Sequence, residues 1–150
     1  MIYLDTSVAL AHLLAEDRRP PDSIWRETLV SSRLLEYELW TPLHARGLAE
    51  SHGESTRALI GRIGMLELAP SVLARALDPF PGQIRVRTLD ALHLASCAYL
   101  LEHGQAVALA SYDRRMVAVA RAMDIPLFEL EGSGTTRVEE RTASHQRNKD

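Results

Sequence analysis

Two short apolar runs in this chain each lead into an aspartate and then into a helical pattern. Asp5 directly follows Ile2-Tyr3-Leu4, and Asp113 comes three residues after the run from Ala106 to Ala110. Continuously apolar runs of this length are typical of strands that are buried on both faces of a parallel sheet. Because the carboxyl ends of parallel strands meet at one edge, where α/β sheets bind their ligands, we expect Asp5 and Asp113 to lie together there.

The rest of the pattern alternates between helices and short strands. Helices are predicted at about residues 7–15, 22–29, 33–46, 54–64, 71–77 and 88–103 and from residue 114 onward, and further strands at 65–68 and 125–128. Pro42 is expected to kink or divide the third of these helices, and the proline-rich residues 78–87 are expected to form a loop. This order favours an α/β fold with a mostly parallel sheet that helices cover on both faces.

The length and the cysteine content set further limits. A chain of 150 residues fits one domain whose core needs no disulfide, and its single cysteine, Cys97, cannot form an internal one. We expect a folded domain over residues 1–130 and a polar, disordered tail over residues 131–150. The sequence shows no leader pattern, and its longest apolar stretch, residues 91–101, is about half of what a membrane span needs, so we expect a cytoplasmic protein without membrane contact.

A third acidic residue, Asp90, lies near the start of the most apolar predicted helix. It shares a face of that helix with Leu94, Cys97 and Leu101, and an ionised acid is rarely buried without a partner or a metal. The alternative is that the first turn of the helix stays hydrated. His93 follows on the same side, where a lone histidine in an apolar helix is more often a hydrogen-bonded core residue than a ligand.

A fourth acidic position is either Glu36 or Glu38. The two side chains point about 160° apart on a helix, and the apolar pattern does not separate them. For Asp5 and Asp113 the simpler alternative is that each stabilises a helix N-terminus, which contributes about 0.3–1 kcal/mol. If the acids meet, oxygen ligands without a histidine or cysteine cluster suit Mg²⁺ or Mn²⁺ rather than zinc. Such a site is suited to phosphodiester hydrolysis.

The segments that carry these acids together resemble the PIN-domain ribonucleases, and among them the VapC toxins of bacterial and archaeal toxin–antitoxin modules. The resemblance covers about residues 1–128. The matching segments are Ile2-Tyr3-Leu4-Asp5-Thr6-Ser7, Ser31-Ser32 followed by Glu38-Leu39, Leu89-Asp90-Ala91-Leu92-His93-Leu94-Ala95, and Ser111-Tyr112-Asp113-Arg114-Arg115-Met116. Four motifs in this order are far more specific than any one of them.

The resemblance implies a set of site residues. It carries the catalytic acids of the family onto Asp5, Glu38, Asp90 and Asp113. In the family pattern, the spacing of the glutamate from the paired serines selects Glu38 over Glu36. The three aspartates are the implied ligands of one or two Mg²⁺ or Mn²⁺ ions, and the glutamate would ligate an ion or orient the water. Thr6 and Ser111 resemble the hydroxyl residues that support the metal-bound acids.

The same resemblance implies a three-layer α/β/α sandwich, homodimerisation and endonucleolytic cleavage of RNA. In-line attack of water on the phosphorus would leave a 5′ phosphate and a 3′ hydroxyl. Four arginines flank the acids in the sequence and are candidates for contacts with RNA phosphates, although a solvated surface explains them almost as well. These arginines are Arg85, Arg87, Arg114 and Arg115. The net charge of −3 does not exclude such a partner, because the local distribution of charge decides.

A VapB-type antitoxin is the implied protein partner. It is expected to insert a basic side chain among the acids and to lay an amphipathic helix in an apolar groove near Leu13, Leu14 and Trp25. Inhibition would then follow from replacement of the metal charge and exclusion of RNA.

Two other functions compete with this interpretation. Phosphatases of the haloacid dehalogenase type also begin with a strand that ends in aspartate, but they have a second aspartate two residues later, where this chain has Ser7. The chain also has no lysine before Lys149. The second alternative is a PIN-like module that binds RNA or a partner without cleavage, against which the complete set of four acids argues.

Overall fold

Four short, largely apolar segments form a single parallel sheet in the computed structural model, which describes residues 1–131. The strands are β1 (Ile2–Leu4), β2 (Leu29–Ser32), β3 (Ile63–Leu66) and β4 (Ala108–Ala110). Their order across the sheet is β3-β2-β1-β4, and every pairing between them is parallel. The prediction of a short, mostly parallel sheet is confirmed.

Helices connect the strands in the described part of the chain. They are α1 (Thr6–Leu13), α2 (Leu34–Ala45), α3 (Ala49–Ile60), α4 (Pro70–Leu77), α5 (Thr88–Glu102) and α6 (Arg114–Ala122). A short 3₁₀ helix, Asp22–Arg26, precedes β2.

These helices cover both faces of the sheet, as the alternation of side chains along β1 requires. Ile2 and Leu4 point to one face and Tyr3 to the other, and all three are buried. Buried residues of α1, α2 and α3 pack on the first face: Val8, Ala9, Leu35, Leu39 and Leu59. Buried residues of α5 and α6 pack on the second: Leu94, Cys97, Met116, Val119 and Ala120. The fold is a three-layer α/β/α sandwich, as predicted.

The middle of the chain differs from the predicted boundaries. The helix predicted at 22–29 is only the 3₁₀ turn, and residues 29–32 form a strand that the sequence pattern does not predict. The helix predicted from residue 54 begins at residue 49, and β3 covers 63–66 instead of 65–68. Gly53 misleads the prediction because it lies inside α3, where a Cβ would meet the side chains of Arg57 and Trp40 at 3.4–3.6 Å. These are ordinary van der Waals distances, so neither a turn nor close packing requires a glycine at this position.

Pro42 does not interrupt its helix, whereas Pro126 limits the last predicted strand. Pro42 does not divide α2, which continues from Leu34 to Ala45 with the proline inside it. The strand predicted at 125–128 is reduced to one parallel bridge between Leu109 and Leu127. Pro126 has no N–H to donate, so a regular ladder cannot extend through it.

The strand order creates a switch point between β1 and β4. The chain proceeds from β1 to β2 and β3 in one direction and then places β4 on the other side of β1. The backbone N–H of Asp5 donates to the carbonyl oxygen of Ala110 over 3.0 Å, which joins the carboxyl ends of these two strands. A crevice at such a point is where open α/β sheets bind ligands.

No helix within residues 1–131 is both long enough and apolar enough to cross a membrane. The tail predicted over residues 131–150 lies, apart from Glu131, outside the described residues. The division of the chain at residue 130 stays a prediction.

Candidate active site

Asp5 lies at the carboxyl end of β1 and is only 5% exposed. Its Oδ2 accepts hydrogen bonds from the hydroxyls of Ser7, at 2.6 Å, and Ser111, at 2.8 Å, and a longer one from the backbone N–H of Ser7, at 3.3 Å. Asp5 thereby caps α1. Across residues 1–131 no hydrogen bond reaches its Oδ1, so one oxygen orients the carboxylate and the other is left to bind a ligand.

Asp113 repeats this arrangement after β4. Its Oδ1 accepts from the backbone N–H groups of Arg115, at 2.9 Å, and Met116, at 3.2 Å, and caps α6. Its own N–H donates to the hydroxyl of Ser111, which in turn donates to Asp5. Capping a helix and binding a ligand are therefore compatible roles for both aspartates, because each cap uses a single carboxylate oxygen.

Asp90 lies in the first turn of α5 and is half-buried, with no side-chain hydrogen bond to any other described residue. Burial raises the pKa of Asp90, and the negative charges of Asp113 and Asp5 raise it further, while His93 and Arg87 partly oppose this shift. Asp113 and Asp5 are thus close enough to Asp90 to disfavour its ionised form. A cation among the three would relieve this effect.

Glu38 lies on α2 and its side chain is 18% exposed. Its Oε1 accepts from the hydroxyl of Thr6 at 3.0 Å and lies 2.5 Å from Nε2 of His93. Glu36, in contrast, is directed to the surface, where it pairs with Arg33 at 3.0 Å. The structure thus joins Glu38, and not Glu36, to the residues that follow β1.

His93 is a buried core residue, 1% exposed, as the sequence favours. Its Nδ1 lies 2.8 Å from the hydroxyl of Tyr3. Burial alone would lower the pKa of His93, but the hydrogen bond to Glu38 and the nearby charges of Asp5, Glu38 and Asp90 outweigh burial and raise it. The histidine is therefore a hydrogen-bonded core residue that also contacts Glu38, the fourth predicted acid.

The donor chemistry of the site fits a hard divalent cation. Within residues 1–131 the acids of the site have carboxylate oxygens without hydrogen bonds, and no thiolate accompanies them. Carboxylate oxygen is the type of ligand that Mg²⁺ and Mn²⁺ prefer. Within the same residues no three side chains of histidine, cysteine, aspartate or glutamate converge into a ready-made metal cluster. Mg²⁺ does not need one, because it commonly keeps several waters and takes one or two protein carboxylates together with substrate phosphates.

The four predicted arginines are exposed and do not all lie at one place. Arg85 and Arg115 line a narrow cleft together with Asp90, and Arg87 is near enough to lower the pKa of Asp90 slightly. Arg114 instead lines a cavity of about 410 Å³ with Arg18 and Arg121. Three of the four therefore lie near Asp90. Their contact with RNA stays a prediction.

Sequence reasoning missed two contacts of the site, one made by Ser7 to Asp5 and one made by Tyr3 to His93. Ser7 holds Asp5 through its hydroxyl and also accepts a hydrogen bond from the backbone N–H of Tyr112, at 3.0 Å. An aspartate that caps a helix accepts from the backbone N–H of the second or third residue after it, so the capping pattern predicts the contact of the Ser7 N–H and not that of its hydroxyl. The apolar pattern predicts Tyr3 only as a strand residue, but a buried tyrosine hydroxyl usually requires a partner, which here is Nδ1 of His93.

The family model of the PIN domain matches residues 2–122. No curated protein matches the chain. PIN domains are generally nucleases and use divalent metal ions, in agreement with the oxygen donors at this sheet edge. The match extends from the first residue of β1 to the last residue of α6 and includes all four predicted acids. The chain therefore belongs to the PIN domain family.

Proposed function

We propose that this PIN-domain protein is a Mg²⁺- or Mn²⁺-dependent endoribonuclease and that it acts as the toxin of a toxin–antitoxin pair. The observation that carries the nuclease proposal is that Asp5 and Asp113 both lie near enough to Asp90 for their charges to act on it, while the oxygens of all three are only partly used in hydrogen bonds. A bound divalent cation would offset this repulsion and would also hold the scissile phosphate.

The chain holds the aspartates in place before any ligand arrives. Ser7 and Ser111 fix one oxygen of Asp5, and the backbone of α6 fixes one oxygen of Asp113. The remaining oxygens, together with Asp90, would hold one or two ions. When bound, Mg²⁺ or Mn²⁺ supplies acidity to water and neutralises charge on the scissile phosphate.

Glu38 has a different role in this proposal. Thr6 and His93 hold its Oε1, and within the described chain its Oε2 has no hydrogen bond. That oxygen would orient the attacking water and accept its proton. The water oxygen bonds to phosphorus while the bond from phosphorus to O3′ breaks and O3′ takes up a proton from solvent water, which yields a 5′ phosphate and a 3′ hydroxyl. Arg85, Arg87 and Arg115 would contact the flanking phosphates.

Cleavage of RNA is expected only when a divalent ion is present. Labelled RNA and DNA of one sequence are incubated with the protein in Mg²⁺, in Mn²⁺ and in EDTA, and the product ends are identified by mass spectrometry. We expect RNA fragments with 5′ phosphates in either metal and none in EDTA. Asp90→Asn protein, purified identically, controls for contaminating ribonucleases. Metal-independent RNA binding without cleavage would instead identify a non-catalytic binding module.

The antitoxin part of the proposal rests on the same acids. A basic side chain of a partner protein inserted among them would replace the metal charge, and the partner's amphipathic helix would lie near Leu13, Leu14 and Trp25. Leu13 and Trp25 are partly buried against the core of the first face, so they offer apolar surface without being fully exposed.

Mixing the protein with its cognate antitoxin is expected to abolish RNA cleavage at a molar ratio near one. Titration of the antitoxin, with the complex followed by gel filtration, measures this. A stable complex that cleaves RNA at an undiminished rate would contradict the inhibitory mechanism.

The proposal also includes a homodimer. Large apolar side chains are exposed on α4 and at the start of α5, where Leu77 is 86% exposed and Leu73 and Leu89 are each 42% exposed. A second copy of the chain could cover this surface.

A further inference from the structure

His93 connects the core of the sandwich to one acid of the site. It belongs to α5 and lies between Tyr3 of β1 and Glu38 of α2. Its two ring nitrogens have different partners: Nδ1 lies 2.8 Å from the hydroxyl of Tyr3, and Nε2 lies 2.5 Å from Oε1 of Glu38 and 3.4 Å from the hydroxyl of Thr6. A flip of the imidazole ring would therefore break contacts on both sides.

Tyr3 is well placed to fix the histidine ring. It is fully buried in β1, which pairs with β2 on one side and β4 on the other. Its ring stands edge-on to the imidazole, with centroids 5.8 Å apart and an interplanar angle of 80°. Burial raises the pKa of Tyr3 far above its ordinary value, so its hydroxyl keeps its proton and can donate. The central strand of the sheet thus supports the imidazole from behind.

The contacts that hold the Glu38 side chain come from outside its own helix. Pro42 lies four residues later in α2 and has no N–H to donate to the carbonyl oxygen of Glu38, so this turn of the helix lacks one backbone hydrogen bond. The side chain of Glu38 is instead fixed by two residues from other elements, Thr6 of α1 and His93 of α5.

We propose that His93 is a positioning residue: together with Tyr3 behind it, it holds the Glu38 carboxylate by Oε1 so that Oε2 is presented to the attacking water. This inference rests on the proposed nuclease function for its effect on cleavage, whereas the coupling of the three side chains can be measured without RNA. Partners that orient catalytic or ligating groups commonly contribute 10–100-fold to activity, and we expect an effect on the order of that range.

Kinetics of His93 variants separate positioning from simple packing. His93→Leu is expected to lower kcat by about 10–100-fold and to leave the KM for RNA within about threefold. His93→Gln keeps a donor at the position of Nε2 and is expected to recover most of the loss. His103→Leu, an exposed histidine just after the end of α5, is the matched control and is expected to retain full activity.

A double-mutant cycle gives the decisive comparison. If His93 acts through Glu38, the loss caused by His93→Leu should disappear when Glu38 is already replaced in Glu38→Gln protein. Tyr3→Phe should show a smaller loss that also disappears in that background, and this second cycle decides the matter if His93→Leu protein does not fold. Equal losses in both backgrounds would overturn the proposal.

A spectroscopic measurement is independent of cleavage. In ¹⁵N-labelled, metal-free protein, Glu38→Gln and Tyr3→Phe are each expected to shift the ring nitrogen resonances of His93 and to leave those of His103 unchanged. Unchanged His93 resonances would overturn the proposal. If these shifts occur but the unaltered protein cleaves no RNA, the positioning contact stands and the proposed function fails.

Discussion

Asp90→Asn is expected to abolish RNA cleavage and, at the same time, to make the metal-free protein more resistant to heat. Asp90 is half-buried without a hydrogen bond in residues 1–131, and both its burial and the charges of Asp113 and Asp5 disfavour its ionised form. Asparagine removes the charge and keeps the size of the side chain. Activity should fall by roughly 10³-fold or more, since an ion at such a site supplies several kcal/mol to the transition state.

The pH dependence of stability follows from the same pKa. Because the pKa of Asp90 is raised in the folded protein, the native state keeps this proton to a higher pH than the unfolded state does. The contribution of Asp90 to the free energy of unfolding is therefore greatest below the ordinary pKa of aspartic acid and declines as pH rises through the raised value. Asp90→Asn protein should lack this decline, which thermal unfolding in EDTA across that pH range would measure.

In Mn²⁺ the unaltered protein should melt at a higher temperature than Asp90→Asn protein, which is the reverse of their order in EDTA. An ion that binds only the native state stabilises it by mass action, so the unaltered protein should gain melting temperature in Mn²⁺ and Asp90→Asn protein should gain little. Asp22→Asn, an exposed aspartate in the 3₁₀ helix, is the matched control and should behave as the unaltered protein. A variant that melts earlier in EDTA, or that still cleaves RNA, would contradict this account.

The two adjacent strands that carry Asp5 and Asp113 at their carboxyl ends were predictable because their signals are local. The strands β1 and β4 are apolar throughout and are each followed by an aspartate near a helix start. Parallel pairing then requires both aspartates to lie at one edge. The sequence could not decide whether Asp5 and Asp113 cap helices or bind a ligand. In the structure both aspartates cap helices, and each uses a single carboxylate oxygen in its cap, so ligand binding by the other oxygen is compatible with capping and stays a prediction.

The strand β2 was missed for a physical reason. Half of it consists of Ser31 and Ser32, which favour turns and helix caps in a sequence pattern. Both are fully buried, and the Ser31 hydroxyl donates to the carbonyl oxygen of Leu4 over 2.7 Å. A serine satisfied by the neighbouring strand is compatible with a central strand, but its partner is distant in sequence and no local pattern shows it.

Glu38 was separable from Glu36 only by resemblance, and the structure explains why periodicity could not do this. Both residues lie on α2, and the apolar residues of that helix spread widely around it. What distinguishes Glu38 is contact with Thr6 and His93, which belong to other helices. Tertiary contacts of this kind leave no trace in the spacing of a single helix.

Glu38→Gln is expected to lower the rate of RNA cleavage by about 10²–10³-fold, whereas Glu36→Gln should stay within about twofold of the unaltered protein. Glutamine keeps an oxygen that can accept from Thr6 and His93, so the side chain should stay in place. It cannot accept a proton from water, so kcat should fall more than the KM for RNA changes. Single-turnover cleavage of a short labelled RNA measures both quantities.

The two substitutions form a matched pair, because they remove the same charge from the same helix only two residues apart. A general effect of negative charge on RNA binding would therefore alter both proteins alike. Glu36 is paired at the surface with Arg33, whereas Glu38 is bonded to residues behind the site. Equal losses of activity would show that the negative charge of α2 as a whole matters. A larger loss in Glu36→Gln protein would show that Glu36, and not Glu38, is the fourth acid. A loss confined to Glu38→Gln protein identifies the carboxylate that Thr6 and His93 hold as the one that acts on water.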